Sequence, residues 1–476
     1  MSWFLEVLNT VVAQVNDVLW SYVLIILLVG SGIIFTICSK FVQIRQLGEM
    51  VRVIASSAGE KTNEHQISSF QAFCVSTASR VGVGNIAGIA IAVVTGGPGA
   101  VFWMWLIALL GAATGFVEST LAQIYKVPRT DAKGFLGGPA YYINNALKRP
   151  KLAVFFAILI SVTYGLIFNS VQANTISLSL QTAFGFDPTM IGIVIAVLSG
   201  AVVFGGLARI AKVAEYMVPV MAGIYLLVAI GVTIYNIAEL PSVLYTIFTE
   251  AWGVDSFLGG GFGAAVMTGI KRGLFSNEAG MGSVPNAAAT ATVSHPVQQG
   301  LVQAFGVFVD TFFICSSSAF IVLLSCDYTA TGLTGIQLVQ YDLSLYFGDI
   351  AVSGIAFIIL LFAFSSIIGN YYYGEINISH LTDNPLYLNI FRAFVTLMVF
   401  FGSVAELTLV WNLADLFMAL MAITNIVAIL FLGKYAFIAL NDYTRQRLQG
   451  IKNPVFKASV MPKQDGMYYW KEDDNK

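Results

Sequence analysis

The feature that most constrains this chain is the length of its uncharged apolar stretches. Such stretches recur along the sequence, for example at 19–38, 101–117 and 350–368. Each has about 18 or more residues, enough to cross the roughly 30 Å hydrocarbon core of a membrane as an α-helix. Because 57% of the residues are hydrophobic and only 11% are charged, most of the surface cannot face water. The short alternating segments of a transmembrane barrel are absent, so the predicted spans are helices.

Apolar runs between charged or Gly/Pro-rich breaks predict an all-α integral membrane protein with about 11 transmembrane helices. Numbered as spans 0 to 10, they lie at about 19–38, 67–95, 99–125, 152–184, 188–206, 213–236, 258–293, 298–325, 350–374, 386–404 and 408–433. An odd number of spans places the two termini on opposite sides of the membrane. We treat the first span as permanent, because no signal-peptide pattern precedes it.

The basic residues predict which side each terminus occupies. Of the 24 Lys and Arg residues, 20 fall in one alternating set of loops and in the C-terminal tail, and the opposite loops contain none. The positive-inside rule therefore predicts an external N-terminus and a cytoplasmic C-terminus in the plasma membrane. Within residues 40–55, apolar side chains recur at helical spacing and predict an amphipathic helix on the inner leaflet. A plain cytoplasmic loop is the alternative for this stretch.

Two stretches of the sequence echo each other. Arg80-Val-Gly-Val-Gly-Asn-Ile-Ala-Gly in span 1 and Arg272-Gly-Leu-Phe-Ser-Asn-Glu-Ala-Gly in span 6 both place Asn five residues after Arg and end in Asn-x-Ala-Gly. Each copy opens a set of five spans, so the second set would cross the membrane in the opposite sense. Glycine-interrupted apolar segments at matching positions in two halves indicate a transporter binding site. We predict broken helices at about 78–86 and 272–281.

These patterns divide the chain into four parts. An N-terminal transmembrane and amphipathic part (1–66) precedes a first inverted repeat (67–238), a second repeat (239–433) and a cytoplasmic tail (434–476). A break frees backbone N–H groups that suit a carboxylate and carbonyl groups that suit a bare cation. Glycine lets a ligand approach the backbone closely. The alternative is that Gly82 and Gly84 only permit close helix packing.

Several other function classes lack a motif. The sequence contains no Walker A motif, no HExxH and no GxSxG, and His65, His295 and His380 are scattered in predicted cytoplasmic loops. We therefore predict no catalytic residues and no ATP-driven transport. No basic block indicates nucleic acid. The four cysteines have no CxxC spacing and predict neither a disulfide framework nor a zinc site.

The longer motifs resemble those of the alanine or glycine:cation symporter family. They are Ala-Ser-Arg-Val-Gly-Val-Gly-Asn-Ile-Ala-Gly from Ala78, Gly-Gly-Pro-Gly-Ala-Val-Phe-Trp-Met-Trp from Gly96, and the stretch from Gly269 to Ser283. The resemblance extends along nearly the whole chain. It implies a five-plus-five inverted repeat of the leucine-transporter type with one additional N-terminal helix. It also implies Na⁺-coupled symport of a small neutral amino acid, alanine or glycine, by alternating access, with a monomer as the expected state.

The resemblance also implies which residues form the sites. The N–H groups around Gly82 and Gly84 would receive the substrate carboxylate. The implied substrate-site residues are Gly82, Val83, Gly84, Phe275, Ser276, Asn277, Gly280, Met281 and Asn370. For Na⁺, the side-chain oxygen of Asn85 would serve one ion, and the carbonyls of Ala78 and Val81 would face a second ion together with the hydroxyls of Ser365 and Ser366. Alone, two adjacent serines in a membrane helix favour bonding to their own helix.

Buried charges leave further alternatives open. Arg80, Lys271, Arg272, Glu278, Asp310 and Glu118 fall within predicted spans or at their ends, where unpaired charges are costly. We predict that Arg80 pairs with Glu278 or Asp310, either to gate the pathway or to hold it together. The two carboxyl groups also keep H⁺ coupling open. A channel or passive sensor is less favoured, because about forty C-terminal residues are too few for a signalling domain.

Asn370 marks a departure from one common form of the family. Many relatives carry Gly-Trp-Ser-Tyr-Tyr-Gly-Glu where this chain reads Gly369-Asn-Tyr-Tyr-Tyr-Gly-Glu. Exchanging Trp for Asn removes an apolar wall and adds an amide. If Asn370 lines the pocket, glutamine becomes an alternative main substrate. Asn370 instead facing cytoplasmic solvent is the other interpretation.

Overall fold

The structure is a computed structural model that describes residues 2–58, 66–129, 134–205, 207–253, 261–325 and 328–470, without the side chains of residues 2–8 and 207–209. His65 and Cys326 lie outside the described residues. The described chain is almost entirely helical. Its described β pairings are a small antiparallel pair of β1 (Val127–Pro128) and β2 (Phe135–Leu136) and an isolated parallel bridge between Ile67 and Ala291.

The first half begins with one long helix and a short surface helix. Helix α1 is formed by Ser2–Val18, a π-helical stretch Leu19–Leu24 and Ile25–Cys38. A single turn, Val42–Arg45, leads into α2 (Leu47–Ser57). The remaining helices of this half are α3 (Ser69–Arg80), α4 (Gly84–Gly96), α5 (Gly99–Ile124), α6 (Pro139–Asn145), α7 (Pro150–Phe184), α8 (Pro188–Val203), α9 (Leu207–Tyr235) and α10 (Leu240–Glu250).

The second half contains a second interrupted helix and the longest helix of the chain. Its helices are α11 (Gly261–Asn277), α12 (Val284–Thr290), α13 (Pro296–Ser325), α14 (Gly335–Phe347), α15 (Asp349–Leu381), α16 (Pro385–Val404) and α17 (Leu407–Leu448). A 3₁₀ turn, Ala458–Val460, lies in the C-terminal segment.

The predicted spans coincide with helices of the structure. Eight of the described helices are long and apolar enough to cross a membrane alone, and the pair α3 and α4, bent by 52°, adds a ninth. The 16-residue helix α8 and the interrupted pair α11 and α12 occupy the two remaining predicted spans. The all-helical membrane architecture is thereby confirmed, whereas the count of eleven and the inverted repeat stay predictions.

Local sequence signals start many of these helices. Proline occupies the first turn of α6, α7, α8, α13 and α16, where its missing N–H costs nothing. Asp187 caps α8 by accepting the N–H groups of Thr189 and Met190. Ser68 and Gln71 form a reciprocal capping box at the start of α3.

The predicted amphipathic stretch is helical but interrupted. Phe41 has a left-handed backbone conformation with φ 58°, and the helix pauses again before α2. The side chains that form its exposed apolar row are Phe41, Ile44, Leu47 and Val51. On the other face, Glu49 accepts hydrogen bonds from Arg52 and, at 2.6 Å, from Tyr443 of α17. An exposed apolar row suits a membrane surface, and the inner-leaflet position stays a prediction.

The C-terminal segment is packed onto the helix ends. The indole N–H of Trp470 donates to the carbonyl oxygen of Gln123 at 2.9 Å. The ammonium group of the fully buried Lys126 lies 4.0 Å from the ring centroid of Phe135 and 4.6 Å from that of Tyr469. The cation–π contacts offset the cost of burying this charge. Residues 451–470 are therefore part of the folded body.

Candidate functional site

The first break separates α3 from α4. Val81 leaves the helical conformation, with φ −83° and ψ 85°. The N–H of Gly82 donates to Oδ1 of Asn85 at 2.9 Å, and the N–H of Val83 donates to Oε1 of Gln172 at 3.1 Å. Unwinding the helix therefore turns backbone donors toward side chains, as the buried position of the break requires.

Both glycines of this break lie in close contact with other helices. A Cβ atom added at Gly84 would lie 2.5 Å from Cδ1 of Phe275 on α11. One added at Gly82 would meet the hydroxyl of Ser366 on α15 and lie 2.9 Å from Oε1 of Gln172. Close helix packing, the alternative interpretation, is therefore a property of both positions here. The predicted approach of a substrate carboxylate to these residues stays a prediction.

The second break lies between α11 and α12. Glu278, Gly280 and Gly282 all have positive φ angles, of 57°, 94° and 79°. Residues from Arg272 to Asn277 are still helical, so the break begins later than the predicted boundary. The two echoed motifs therefore do not unwind at equivalent positions. The first copy unwinds directly after its arginine, whereas the second unwinds after its asparagine, where the left-handed glycines stand.

Glu118 of α5 forms hydrogen bonds with the backbone of the second break. Its carboxylate accepts the N–H groups of Gly280 at 3.1 Å and Gly282 at 3.2 Å, and the amide of Asn425 at 2.7 Å. Asn425, on α17, also donates to the carbonyl oxygen of Gly280 at 2.9 Å. Backbone and amide donors, and no basic side chain, thus contact this buried carboxylate among the described residues.

Replacing Glu118 by glutamine is expected to lower both thermal stability and uptake. The side chain keeps its shape, but an amide NH₂ would then face N–H donors. A hydrogen bond to a charged acceptor contributes about 1.5–3 kcal/mol, so uptake should fall about tenfold or more. Uptake in liposomes and the unfolding temperature in detergent measure the effect. Glu239→Gln, at an exposed glutamate, is the matched control, and equal behaviour of the two variants would contradict the role of Glu118.

The first cluster of oxygen atoms lies where α3 meets α15. The hydroxyls of Ser365 and Ser366 lie 3.4 and 3.0 Å from the carbonyl oxygen of Ala78. Both also lie within 3.1 Å of the carbonyl oxygen of Phe362 in their own helix. The structure brings together three of the four residues expected at the second Na⁺ site, and Val81 follows at the start of the break. Back-bonding, the alternative for the serines, is present as well.

The second cluster surrounds Asp310, on a π-helical stretch of α13. Its carboxylate accepts the amide of Asn85 at 2.5 Å and lies 2.8 Å from the hydroxyl of Ser276 and 3.1 Å from that of Thr311. Asn277 donates to Thr311 at 3.3 Å. Residues from both echoed motifs therefore converge on one buried carboxylate. This carboxylate is one of the two predicted ion-pair partners of Arg80.

The two predicted ion pairs of Arg80 are not formed in this structure. The guanidinium donates instead to the carbonyl oxygen of Gln303 at 3.2 Å and to its Oε1 at 3.3 Å. Glu278 lies 3.0 Å from the hydroxyl of Ser79 and 2.7 Å from that of Ser283. Arg80 faces α13, so it contacts an amide there, and hydroxyl groups satisfy Glu278.

Asn370 is buried and does not face cytoplasmic solvent. Its Oδ1 lies 2.7 Å from the hydroxyl of Ser79, and its amide donates to Oδ1 of Asn169 at 3.0 Å. Only 1% of the residue is exposed. Because Ser79 also contacts Glu278, Asn370 is connected to both breaks through one hydroxyl. Met281 is fully buried within the second break.

Asp415, which was not predicted from the sequence, is the partner of the adjacent basic residues Lys271 and Arg272. Lys271 lies 3.4 Å from the carboxylate of Asp415 on α17, and Arg272 pairs with the same carboxylate. The guanidinium of Arg272 also lies 4.7 Å from the ring centroid of Trp411. An acidic residue within an apolar span is itself a signal of function, so Asp415 could have been found by the rule that selected Glu118.

A row of three tilted aromatic rings adjoins this ion pair. Phe275 lies between Phe168 and Trp411, with ring centroids 4.8 and 4.9 Å away. The same Phe275 ring abuts Gly84 at the first break. Gln172, which receives the N–H of Val83, comes from α7 together with Phe168. Phe275, a predicted substrate-site residue, therefore packs between the first break and the ion pair of Arg272 with Asp415.

The sequence and the fold are both similar to those of known proteins. Residues 5–458 match the model of the sodium:alanine symporter family. The probable sodium/glutamine symporter GlnT of Bacillus subtilis (strain 168) is 52% identical over 471 residues, which cover 99% of this chain and 98% of GlnT. The amino-acid carrier protein AlsT of the same organism is 49% identical over 466 residues, 98% of either chain. The crystal structure of MhsT in complex with L-phenylalanine has a TM-score of 0.57 at 16% identity, covering 82% of this chain and 99% of MhsT.

These similarities extend over nearly the whole chain. They confirm the resemblance found in the motifs, and the similarity to MhsT confirms a transporter fold of the leucine-transporter type. The relatives are symporters and carriers, so the chain is a multi-pass membrane transporter and not an enzyme. With a family model covering residues 5–458, the chain belongs to the sodium:alanine symporter family.

Proposed function

We propose that this protein is a secondary active transporter that couples uptake of a small neutral amino acid to the Na⁺ gradient across the plasma membrane. The observation that carries the proposal is the meeting of both echoed motifs at one buried carboxylate. Asn85 from the first motif and Ser276 from the second both contact Asp310. Unwound backbone beside oxygen ligands, buried within the bundle, is the arrangement that transporters use for coupled substrates and ions.

Two Na⁺ positions follow from the clusters. At the first, Asp310 supplies a full negative charge, and the hydroxyls of Ser276 and Thr311 supply neutral oxygens, while the amide of Asn85 donates to the carboxylate. A buried cation would balance this carboxylate, which has no basic side chain in contact among the described residues. At the second, the carbonyl of Ala78 and the serine hydroxyls of α15 provide neutral oxygen atoms.

The substrate position follows from the polarity of the helix ends. The amino-terminal end of α4 carries partial positive charge and N–H groups that suit a carboxylate. Phe275, from the second motif, abuts Gly84 of the first motif. The amino acid would therefore lie between the two breaks. Alternating access then requires rearrangement around this site, including the aromatic row of Phe168, Phe275 and Trp411.

Glutamine is proposed as a substrate beside alanine and glycine. The similarity to GlnT, named a probable sodium/glutamine symporter, supports this substrate, as does the buried amide of Asn370 near both breaks. A site that hydrogen-bonds a polar substrate group discriminates strongly in its favour.

Asn370→Trp is expected to shift preference from glutamine toward alanine and glycine. Tryptophan removes the amide and fills space, so the concentration of glutamine that halves alanine uptake should rise about tenfold or more. Competition by unlabelled glutamine against labelled alanine measures this shift. Asn370→Ser, which keeps a small polar side chain, serves as the control for loss of fold. Identical competition profiles in wild type and Asn370→Trp would show that this residue does not determine substrate specificity.

The proposed function is tested with purified protein in liposomes. Uptake of labelled glutamine, alanine and glycine is measured with inward gradients of Na⁺, H⁺ or K⁺. We expect accumulation only with the Na⁺ gradient. Accumulation driven by H⁺ alone would instead favour proton coupling through Glu278 or Asp310, which are both buried without an ion pair in the described chain. Uptake that is independent of all three cation gradients would contradict symport.

A further inference from the structure

A surface groove lies between the beginning of α7 and the inner half of α17. Its cavity has a volume of about 630 Å³. The side chains that form its rim and walls are Lys148, Arg149, Lys151, Leu152, Val427 and Phe431. The basic residues come from the loop before α7 and from its first turn, and the apolar residues come from α7 and α17. The groove therefore joins a positively charged end to an apolar channel.

The rim is an exposed concentration of positive charge. Lys148, Arg149 and Lys151 are all exposed, and none forms an ion pair within the described chain. Helix α7 begins at Pro150 without a side-chain cap, so its partially positive end points to the same place. Arginine and lysine together with a helix N-terminus form a favourable environment for a phosphate group.

The walls face where lipid chains would run. Val427 and Phe431 are 40% and 68% exposed, and Leu152 is 36% exposed. The predicted membrane spans begin at about residue 152 and end at about residue 433, so the rim lies at the predicted cytoplasmic surface and the walls lie just inside. A basic pocket between transmembrane helices on this side is typical of a site for an acidic lipid headgroup.

We propose that this groove binds an anionic phospholipid of the inner leaflet, with its phosphate at the basic rim and an acyl chain along α17. A soluble anion would use the rim but leave the apolar walls exposed. A neutral lipid would use the walls but leave the three basic side chains without a partner. The combination of charge and apolar surface selects a diacyl lipid with net negative charge.

The groove adjoins the residues that hold the second break. Tyr142, on α6 just before the basic rim, donates to Oδ1 of Asn425 on α17. Asn425 lies two positions before Val427 on α17. Its amide donates to Glu118 and to the carbonyl oxygen of Gly280. A lipid that bridges the loop before α7 and α17 therefore holds together the segments that support this break, and it should stabilise the protein against thermal unfolding.

The test measures lipid binding to the full chain in neutral detergent by native mass spectrometry, with phosphatidylglycerol and phosphatidylcholine as probes. We expect phosphatidylglycerol to bind more tightly and to raise the unfolding temperature. In the triple variant Lys148→Gln, Arg149→Gln, Lys151→Gln, each lost charge should weaken phosphatidylglycerol binding about fivefold, and the three together on the order of 100-fold. Val427→Trp keeps the charges, fills the groove and should weaken binding as well.

The matched control removes the same charge elsewhere. Lys452, Lys457 and Lys463 are exposed residues of the C-terminal segment, and replacing all three by glutamine should leave phosphatidylglycerol binding unchanged. Equal affinity of wild type for the two lipids overturns the proposal. Equal loss of binding in the two triple variants also overturns it, since overall charge would then explain the effect. Because the assay does not measure uptake, its outcome is independent of the proposed substrate and coupling ion.

Discussion

Uptake is expected to fall below detection when Gly84 is replaced by valine, while the protein remains folded in the membrane. The Cβ position at this residue lies 2.5 Å from Cδ1 of Phe275, a separation shorter than packed carbon atoms tolerate. Overpacking a rigid contact costs about 1–3 kcal/mol or more. That strain falls where the two echoed motifs meet, so the ligand geometry is lost. The measurement is Na⁺-driven uptake normalised to the amount of monodisperse protein.

Gly223→Val is the matched control for this variant. Gly223 also lies within a membrane helix, α9, but a Cβ atom added there has no neighbour within 4 Å. We expect wild-type uptake from this control. Normal uptake by Gly84→Val would show that Phe275 can move aside, and that neither packing nor substrate binding requires glycine at this position.

Replacing Asp310 by asparagine is expected to raise the Na⁺ concentration for half-maximal uptake about 10- to 100-fold. Asparagine keeps the size of the side chain but removes the only full negative charge of the cluster it forms with Asn85, Ser276 and Thr311. An interaction with a charged group contributes about 1.5–3 kcal/mol, and about 1.4 kcal/mol corresponds to a tenfold change in affinity. Ser366→Ala, in the other cluster, should have a smaller effect of about tenfold.

Asp349→Asn provides the matched control, because Asp349 is exposed at the start of α15. It should leave the Na⁺ dependence unchanged. The Na⁺ dependence is read from initial uptake rates at fixed substrate and varied Na⁺, with ionic strength held constant. If Asp310→Asn and Ser366→Ala both behave like Asp349→Asn, the cation sites lie elsewhere.

The sequence by itself determined the class of fold and most helix boundaries. Apolar length and helix-terminating residues are local properties, so the span predicted at 99–125 became Gly99–Ile124 and that at 386–404 became Pro385–Val404. The first break was also predicted at its observed place, because Gly82 and Gly84 interrupt the helix locally. The family resemblance implied Asn85, Ser276 and Asn277 as site residues. In the structure the first two contact Asp310, and Asn277 contacts the neighbouring Thr311.

Only the tertiary structure decided which side chains meet. Arg80 contacts Gln303 and neither predicted carboxylate, and Arg272 pairs with Asp415, a residue 143 positions away in the chain. The second break starts after Asn277, where Glu118 of a different helix receives the freed N–H groups. Successive residues of a helix point about 100° apart, so a partner depends on the rotation and depth of each helix within the bundle. Packing between distant segments sets both quantities, and a local sequence pattern contains neither.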